Sequence, residues 1–243
     1  MADKKVAVTE NENVTTETYT VKKDFWTTFS KPIIYAGSAI ILILGAWFGY
    51  HKLVKEPKEE KAAELIFPAE GLADKAANVG FSKDTANIIL NGGSNDGANI
   101  PGLLKVINTY KGTPAANRAT YLAGAAYLQI GEFDKAIKFL KEFDANGASQ
   151  IDIKRNMMLG HAYAEQKKTD DALSYYKKAA AVNDKDEAFT ADALITAAGY
   201  AETIGKNKDA IELYEKARDN YPNFQSVQNG DVEKRLAKLG VLK

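Results

Sequence analysis

The hydrophobic and polar positions divide the chain into an apolar block near its start and a long segment with helical periodicity after it. From Pro32 to Tyr50 the sequence PIIYAGSAIILILGAWFGY contains no charged side chain. At about 1.5 Å of rise per residue, a helix of this length spans about 28 Å, which is close to the hydrocarbon thickness of a bilayer. We therefore predict one transmembrane helix over residues 32–51, preceded by a polar tail over residues 1–31.

The surroundings of the block favour a membrane anchor over two alternatives. A buried core helix normally carries polar residues on one face, and this block has no polar face. A cleaved signal peptide has a shorter apolar stretch and a small-residue cleavage site, which the sequence WFGYHK does not offer. Aromatic residues typical of membrane interfaces flank the block on both sides. They are Phe25, Trp26 and Phe29 before it and Trp47, Phe48 and Tyr50 at its end.

Small residues within the block give a membrane helix places where another helix can approach closely. These predicted packing positions are Gly37, Ser38, Gly45, Ala46 and Gly49. The orientation of the helix stays open, because the positive-inside rule compares nearby lysines and the two sides are nearly equal. The lysines are Lys22, Lys23 and Lys31 before the block and Lys52, Lys55, Lys58 and Lys61 after it.

Residues 52–111 read as a membrane-proximal helical region. Apolar residues at spacings of three and four predict a helix from Ala62 to Ala76, which contains Pro68. Shorter helices are predicted from Ser82 to Leu90 and from Gly102 to Tyr110. The glycine- and asparagine-rich sequence NGGSNDG between them, residues 91–97, predicts a loop.

An internal repeat occupies residues 112–243. Five positions recur with steps of 3, 9, 4 and 3 residues in three copies, at about 117–150, 153–186 and 191–224. They are Gly124, Tyr127, Ala136, Leu140 and Phe143, then Gly160, Tyr163, Ala172, Tyr176 and Ala179, then Ala198, Ala201, Ala210, Tyr214 and Ala217. Each copy predicts two antiparallel helices that must stack on a neighbour to bury their apolar faces. The turn between the two helices is predicted at Gly131-Glu132, Lys167-Lys168 and Gly205-Lys206. The alternative is an ordinary helical bundle, in which the same spacing would have to occur three times by chance.

The predicted fold class is therefore all-α: one transmembrane helix followed by an α-solenoid of helical hairpins. Small residues would let paired helices approach, and large residues would fill the space between units. Val232 to Leu242, with Leu236 and Leu239, reads as a terminal capping helix.

Composition removes several classes of function. The 32 basic and 32 acidic residues give no net charge, so nucleic acid is not an expected partner. The absence of cysteine excludes thiol catalysis and zinc–thiolate sites, and two distant histidines exclude a multi-histidine metal site. No set of side chains has the spacing of a known catalytic motif, and the acidic clusters near Asp170 and Asp184 are interpreted as solvated surface. We predict a protein that is not an enzyme and holds no cofactor or metal.

The repeats resemble the tetratricopeptide repeat. The resemblance lies in GAAYLQIGEFDKAIKFLKEF, GHAYAEQKKTDDALSYYKKA and AGYAETIGKNKDAIELYEKARDNYP. The first copy departs from the motif at Phe143, where alanine is usual, and the third departs at Ala201, where tyrosine is usual. The resemblance implies a curved stack whose concave face is lined by the first helix of each pair. The residues expected on this protein-binding groove are Arg118, Tyr121, Gln129, Lys154, Met157, His161, Glu165, Asp192, Ile195, Glu202 and Thr203.

The order of tail, span, helical segment and repeats is similar to that of single-pass tetratricopeptide proteins of the bacterial inner membrane, which serve as ancillary subunits of the Sec translocon. The sequence PKEEKAAELIFPAE after the span and the first repeat carry this resemblance. It implies a cytoplasmic N-terminus, periplasmic repeats, and translocon subunits, periplasmic chaperones or nascent secreted chains as partners. The alternative is a scaffold for another cell-envelope complex, such as cell division or protein secretion.

Overall fold

The structure is a computed structural model that describes residues 25–241. The chain forms two compact units that divide between Glu56 and Pro57, and we describe each by itself. Most of the predicted polar tail, residues 1–24, lies outside the described residues, as does Leu242 of the predicted capping helix.

The first unit contains helix α1 (Phe25–Tyr50) and a π-helical turn (His51–Lys55). Helix α1 begins seven residues before Pro32, so the aromatic residues that precede the uncharged block are already helical. The aliphatic run from Ile40 to Leu44 is 58–72% exposed. The described residues contain one helical stretch long and apolar enough to cross a membrane, and none of its apolar window is buried. That stretch runs from Phe29 to Asn78, and its uncharged part, residues 32–50, lies in α1, which is the candidate membrane span.

The second unit opens with a helical segment that differs from the prediction at one place. Its elements are α2 (Glu56–Val79), α3 (Lys83–Asn91), β1 (Gly92–Asn95), β2 (Ala98–Pro101) and α4 (Leu103–Thr109). Ser82 caps α3, because its hydroxyl accepts a hydrogen bond from the Thr85 amide at 3.0 Å. Helices α3 and α4 therefore occur where the sequence predicts them, and Pro68 lies inside α2.

The predicted loop at residues 91–97 is wrong, because most of it belongs to a β-hairpin. Strands β1 and β2 pair antiparallel, with Gly92 opposite Pro101 and Asn95 opposite Ala98. The two residues between the strands, Asp96 and Gly97, have φ values of 50° and 79°. Two consecutive positive φ values match the tight hairpin turn that an Asp-Gly pair favours. The turn signal was present in the sequence, but the strands lack the apolar alternation that identifies most strands.

Three helical hairpins follow the hairpin segment in chain order. They are α5 (Pro114–Gln129) with α6 (Phe133–Glu142), α7 (Ser149–Glu165) with α8 (Thr169–Ala180), and α9 (Glu187–Thr203) with α10 (Asn207–Asn220). Each connection contains one residue with positive φ: Gly131 at 80°, Lys167 at 60° and Gly205 at 76°. These are the turn positions that the repeat predicts.

Two buried clusters hold this unit together. The first combines α2, α3 and α4 with the first hairpin, and the second combines the last two hairpins with the chain that follows. Close approach within a hairpin requires glycine: a Cβ on Gly124 would lie 2.7 Å from Leu140 Cγ, and one on Gly160 would lie 2.6 Å from Tyr176 Cε1. The all-α solenoid prediction is confirmed in this unit.

The chain after the last hairpin contains a short helix, α11 (Gln225–Gln228), and then α12 (Asp231–Lys238). Val232 and Leu236 of α12 are buried against the second cluster. Helix α12 thus lies within the segment predicted to cap the repeats, and it ends four residues before Leu242.

Candidate protein-binding surface

The residues predicted for the groove all lie on α5, α7 and α9, the first helices of the three hairpins. None is buried. Seven are exposed, and Tyr121, Met157, Ile195 and Glu202 are half-buried. Gln129, Glu165 and Thr203 each end their helix. That these residues contact a partner stays a prediction, since exposure is what any solvent-facing position would show.

At the N-terminal end of the surface, Arg118 is held by two carboxylates of α2. Its Nε lies 3.2 Å from Glu70 Oε1, and its terminal nitrogen lies 3.9 Å from Glu59 Oε1. Glu59 also accepts a hydrogen bond from the Ala115 amide at 3.0 Å, in the first turn of α5. A carboxylate at a helix N-terminus is favoured electrostatically. Helix α2 thus contributes to the surface next to the first repeat.

Tyr121 forms the wall of a cleft of about 510 Å³ beside Arg118. Its ring packs against that of Phe143 with 5.1 Å between centroids, and burial raises the pKa of its hydroxyl. Phe143 stands at the motif position that holds Ala179 and Ala217 in the other repeats. The unusual residue at that position was the sequence signal for this cleft, but its significance depended on knowing that Tyr121 lies opposite.

The middle of the surface is built around aromatic contacts. The Lys154 ammonium lies 5.2 Å from the centre of the Phe189 ring, and His161 Nδ1 lies 2.9 Å from the Tyr176 hydroxyl. Partial desolvation of the ring lowers the pKa of His161, while the nearby Glu165 carboxylate acts in the opposite direction. His161 is therefore neutral near pH 7, and so is Tyr176, whose pKa is raised by burial; the imidazole tautomer determines which of the two donates the hydrogen bond.

At the C-terminal end, Glu202 joins α9 to α10 and α12. It accepts a hydrogen bond from the Tyr214 hydroxyl at 3.2 Å and pairs with Arg235 at 3.4 Å. A second cleft, of about 880 Å³, lies beside Ile195 and Gly199 and is closed by α12. Sequence reasoning missed the residues of α2 and α12 here, because they lie far along the chain from the helices they meet.

The three glycines of α1 have open space beside them in the described part of the chain. A Cβ placed on Gly37, Gly45 or Gly49 would find no other atom within 4 Å. Ser38 donates its hydroxyl to the Tyr35 carbonyl of the same helix at 3.0 Å. The predicted role of these residues and Ala46 in packing against other membrane helices stays a prediction.

The side chains on this surface are suited to non-covalent contact. Among residues 25–241, no group of three histidine, cysteine, aspartate or glutamate side chains is arranged to hold a metal ion. Tetratricopeptide-repeat proteins are generally scaffolds without catalytic activity. The arrangement of charged, aromatic and aliphatic side chains suits contact with another polypeptide.

Comparisons with known proteins agree with this architecture. Residues 106–151 and 154–223 each match a family model described as tetratricopeptide repeat. A crystal structure of kinesin light chain TPR-like repeats from Podosopora anserina is similar to this chain, with a TM-score of 0.51 and 14% identity. The similarity covers 74% of this chain and 91% of that one, and at this identity it concerns the fold alone. No curated protein matches the chain. The second unit therefore carries tetratricopeptide repeats, the fold of a protein-interaction scaffold.

Proposed function

We propose that this protein is a membrane-anchored adaptor, and specifically an accessory subunit of the Sec translocon that holds clients or a chaperone on the periplasmic side. The observation that carries the adaptor role is the surface of α5, α7 and α9, where unburied charged, aromatic and aliphatic side chains line adjoining repeats. Repeats of this kind use such surfaces to bind other polypeptides.

The anchor is supported by the apolar surface of α1. Five consecutive aliphatic residues, Ile40 to Leu44, are more than half exposed. Keeping one such side chain in water rather than burying it costs about 1.5–3 kcal/mol, so the run favours a lipid environment by roughly 10 kcal/mol. Gly45 and Gly49 lie four residues apart and so share one helix face, where a membrane partner can approach.

The orientation and the translocon rest on the resemblance to single-pass inner-membrane proteins. A protease added to spheroplasts would then digest the repeats, whereas inverted vesicles would protect them. The opposite pattern would put the repeats in the cytoplasm and reject a periplasmic role.

The partner is tested by crosslinking from the full-length chain in cells. A photoreactive amino acid at position 121 or 161 is expected to capture a translocon subunit or a periplasmic chaperone, because both positions lie on the predicted groove. The same amino acid at Lys216, an exposed residue of α10, is the control and should not capture that subunit.

Two results would change this proposal. Capture of a cell-division or outer-membrane secretion component from positions 121 and 161 would favour the envelope scaffold instead. Equal capture from positions 121, 161 and 216 would show that the surface of the first helices is not the binding site.

A further inference from the structure

The cleft beside Tyr121 combines apolar walls with an acidic rim. Three elements line it: the side of α2, the face of α5, and the segment that joins α6 to α7 and enters α7. The walls include Tyr121, Leu122, Phe143 and Ile151. Phe143 is 7% exposed, whereas Tyr121 is half-buried and stays accessible to a ligand.

The charges around this cleft do not balance. Its lining contains three carboxylates, Glu70, Asp74 and Asp144, and one cation, Arg118. Arg118 is already shared between Glu70 and Glu59. The Asp144 carboxylate accepts a hydrogen bond from the Asn146 amide at 2.9 Å, which fixes it within its turn.

Asp74 is the acid placed to meet a ligand. It is exposed on α2, and no ion pair or hydrogen bond of its carboxylate occurs among residues 25–241. It shares the cleft lining with the Tyr121 ring. A carboxylate beside an aromatic face attracts a cation through both charge and the ring quadrupole.

We propose that this cleft binds a lysine or arginine side chain of a partner polypeptide. The aliphatic stem of that side chain lies along Tyr121 and Phe143, and its cationic end meets Asp74. Long basic side chains bury their stems on apolar surface in this way and keep their charge at the rim. The inference rests on the proposed protein-binding function and names the kind of segment that the N-terminal end of the surface accepts.

The second cleft, at the other end of the surface, has the opposite charge. Its lining contains Lys234, Arg235 and Lys238 with a single acid, Asp231. A basic side chain is therefore favoured at the α2–α5 end and disfavoured at the α9–α12 end. This difference means that the preference belongs to one cleft and is not a general property of the surface.

The test is a selection from a random peptide library on the full-length chain in nanodiscs, with empty nanodiscs as the background. Peptides recovered on the parent protein are expected to be enriched in lysine or arginine next to an apolar residue. Asp74→Lys should remove this enrichment and lower the affinity for a recovered peptide by about tenfold or more. Asp74→Asn should weaken it less, because it removes the charge and keeps the shape.

Glu64→Lys is the matched control. Glu64 is exposed on the same helix, and the substitution changes the charge by the same amount outside the cleft lining. Its peptides should keep the basic enrichment. Circular dichroism of each variant confirms that the helices are intact.

The outcomes separate this inference from the function on which it rests. Recovery of peptides without basic enrichment, or equal loss with Glu64→Lys and Asp74→Lys, would overturn the cleft assignment and leave peptide binding in place. Recovery of no peptide above the empty-nanodisc background would overturn both.

Discussion

At the scale of single residues, His161 shows how the stacked repeats change the chemistry of a groove position. Its ring meets Tyr176 edge-on, with 5.3 Å between the ring centroids, and Tyr176 in turn lies 5.0 Å from the Tyr200 ring. The Tyr176 hydroxyl and His161 Nδ1 share a hydrogen bond of 2.9 Å. The sequence identified His161 as a groove or packing residue, but its contact with a tyrosine of the paired helix appears only in the structure.

His161 should therefore titrate below its ordinary pKa of 6.5. Because the unfolded chain takes up the proton first as the pH falls, stability should decline from pH 6.5 downward and level off below the folded pKa. His161→Gln, which cannot titrate, should lack this part of the decline. An NMR titration of the ring proton gives the pKa, and urea unfolding at pH 8 and pH 5 gives the stability. A folded pKa above 6.5 would contradict the partial desolvation of the ring.

At the scale of elements, the small residues at fixed positions of the repeat set the distance between paired helices. Gly160 lies under the Tyr176 ring, three of whose atoms would be 2.6–2.9 Å from an added Cβ. Tyr176 is 3% exposed and has no room to move away. Gly71, on α2, is the opposite case, since a Cβ there would meet nothing within 4 Å.

Gly160→Ala should destabilise the second unit by about 1–3 kcal/mol, because the steric cost of overpacking exceeds the helix propensity that alanine gains. Gly71→Ala, with the same gain and no clash, should stabilise it by about 0.5–1 kcal/mol. Urea unfolding of the fragment 57–243 measures both free energies of unfolding. Two changes of the same sign would show that the close approach of α7 and α8 does not limit the side chain at position 160.

At the scale of the whole second unit, two buried clusters divide the stack. Leu103, fully buried, belongs to the cluster of α2 to α5, and Leu236, 2% exposed, belongs to the cluster that α12 closes. In repeat proteins each repeat is stabilised mainly by its neighbours, so a local loss need not spread evenly.

Leu236→Ala and Leu103→Ala should each lower the free energy of unfolding by about 2–5 kcal/mol. The two substitutions should destabilise different helices. Hydrogen exchange measured by mass spectrometry should speed up mainly in α9, α10 and α12 for Leu236→Ala. For Leu103→Ala the change should concentrate in α3, α4 and α5. Uniform acceleration along the chain in both variants would instead indicate a single cooperative unit.

The sequence by itself determined the features that depend on local spacing. The uncharged block became α1, the five-position repeat became three helical hairpins, and Gly131, Lys167 and Gly205 marked their turns. These features could be predicted because a helix buries residues at a fixed period. Small residues and turn residues also affect the backbone at their own position, so their effect can be predicted locally.

Only the tertiary structure decided which distant residues meet. Arg118 pairs with Glu70, 48 positions earlier, and Arg235 with Glu202, 33 positions earlier. Phe143 lies against Tyr121 because the first hairpin folds back on itself. Periodicity predicts which face of a helix is buried, but it does not identify the element that packs on that face. The two clefts and their opposite charges therefore depend on the packing of α2 and α12 on the repeats.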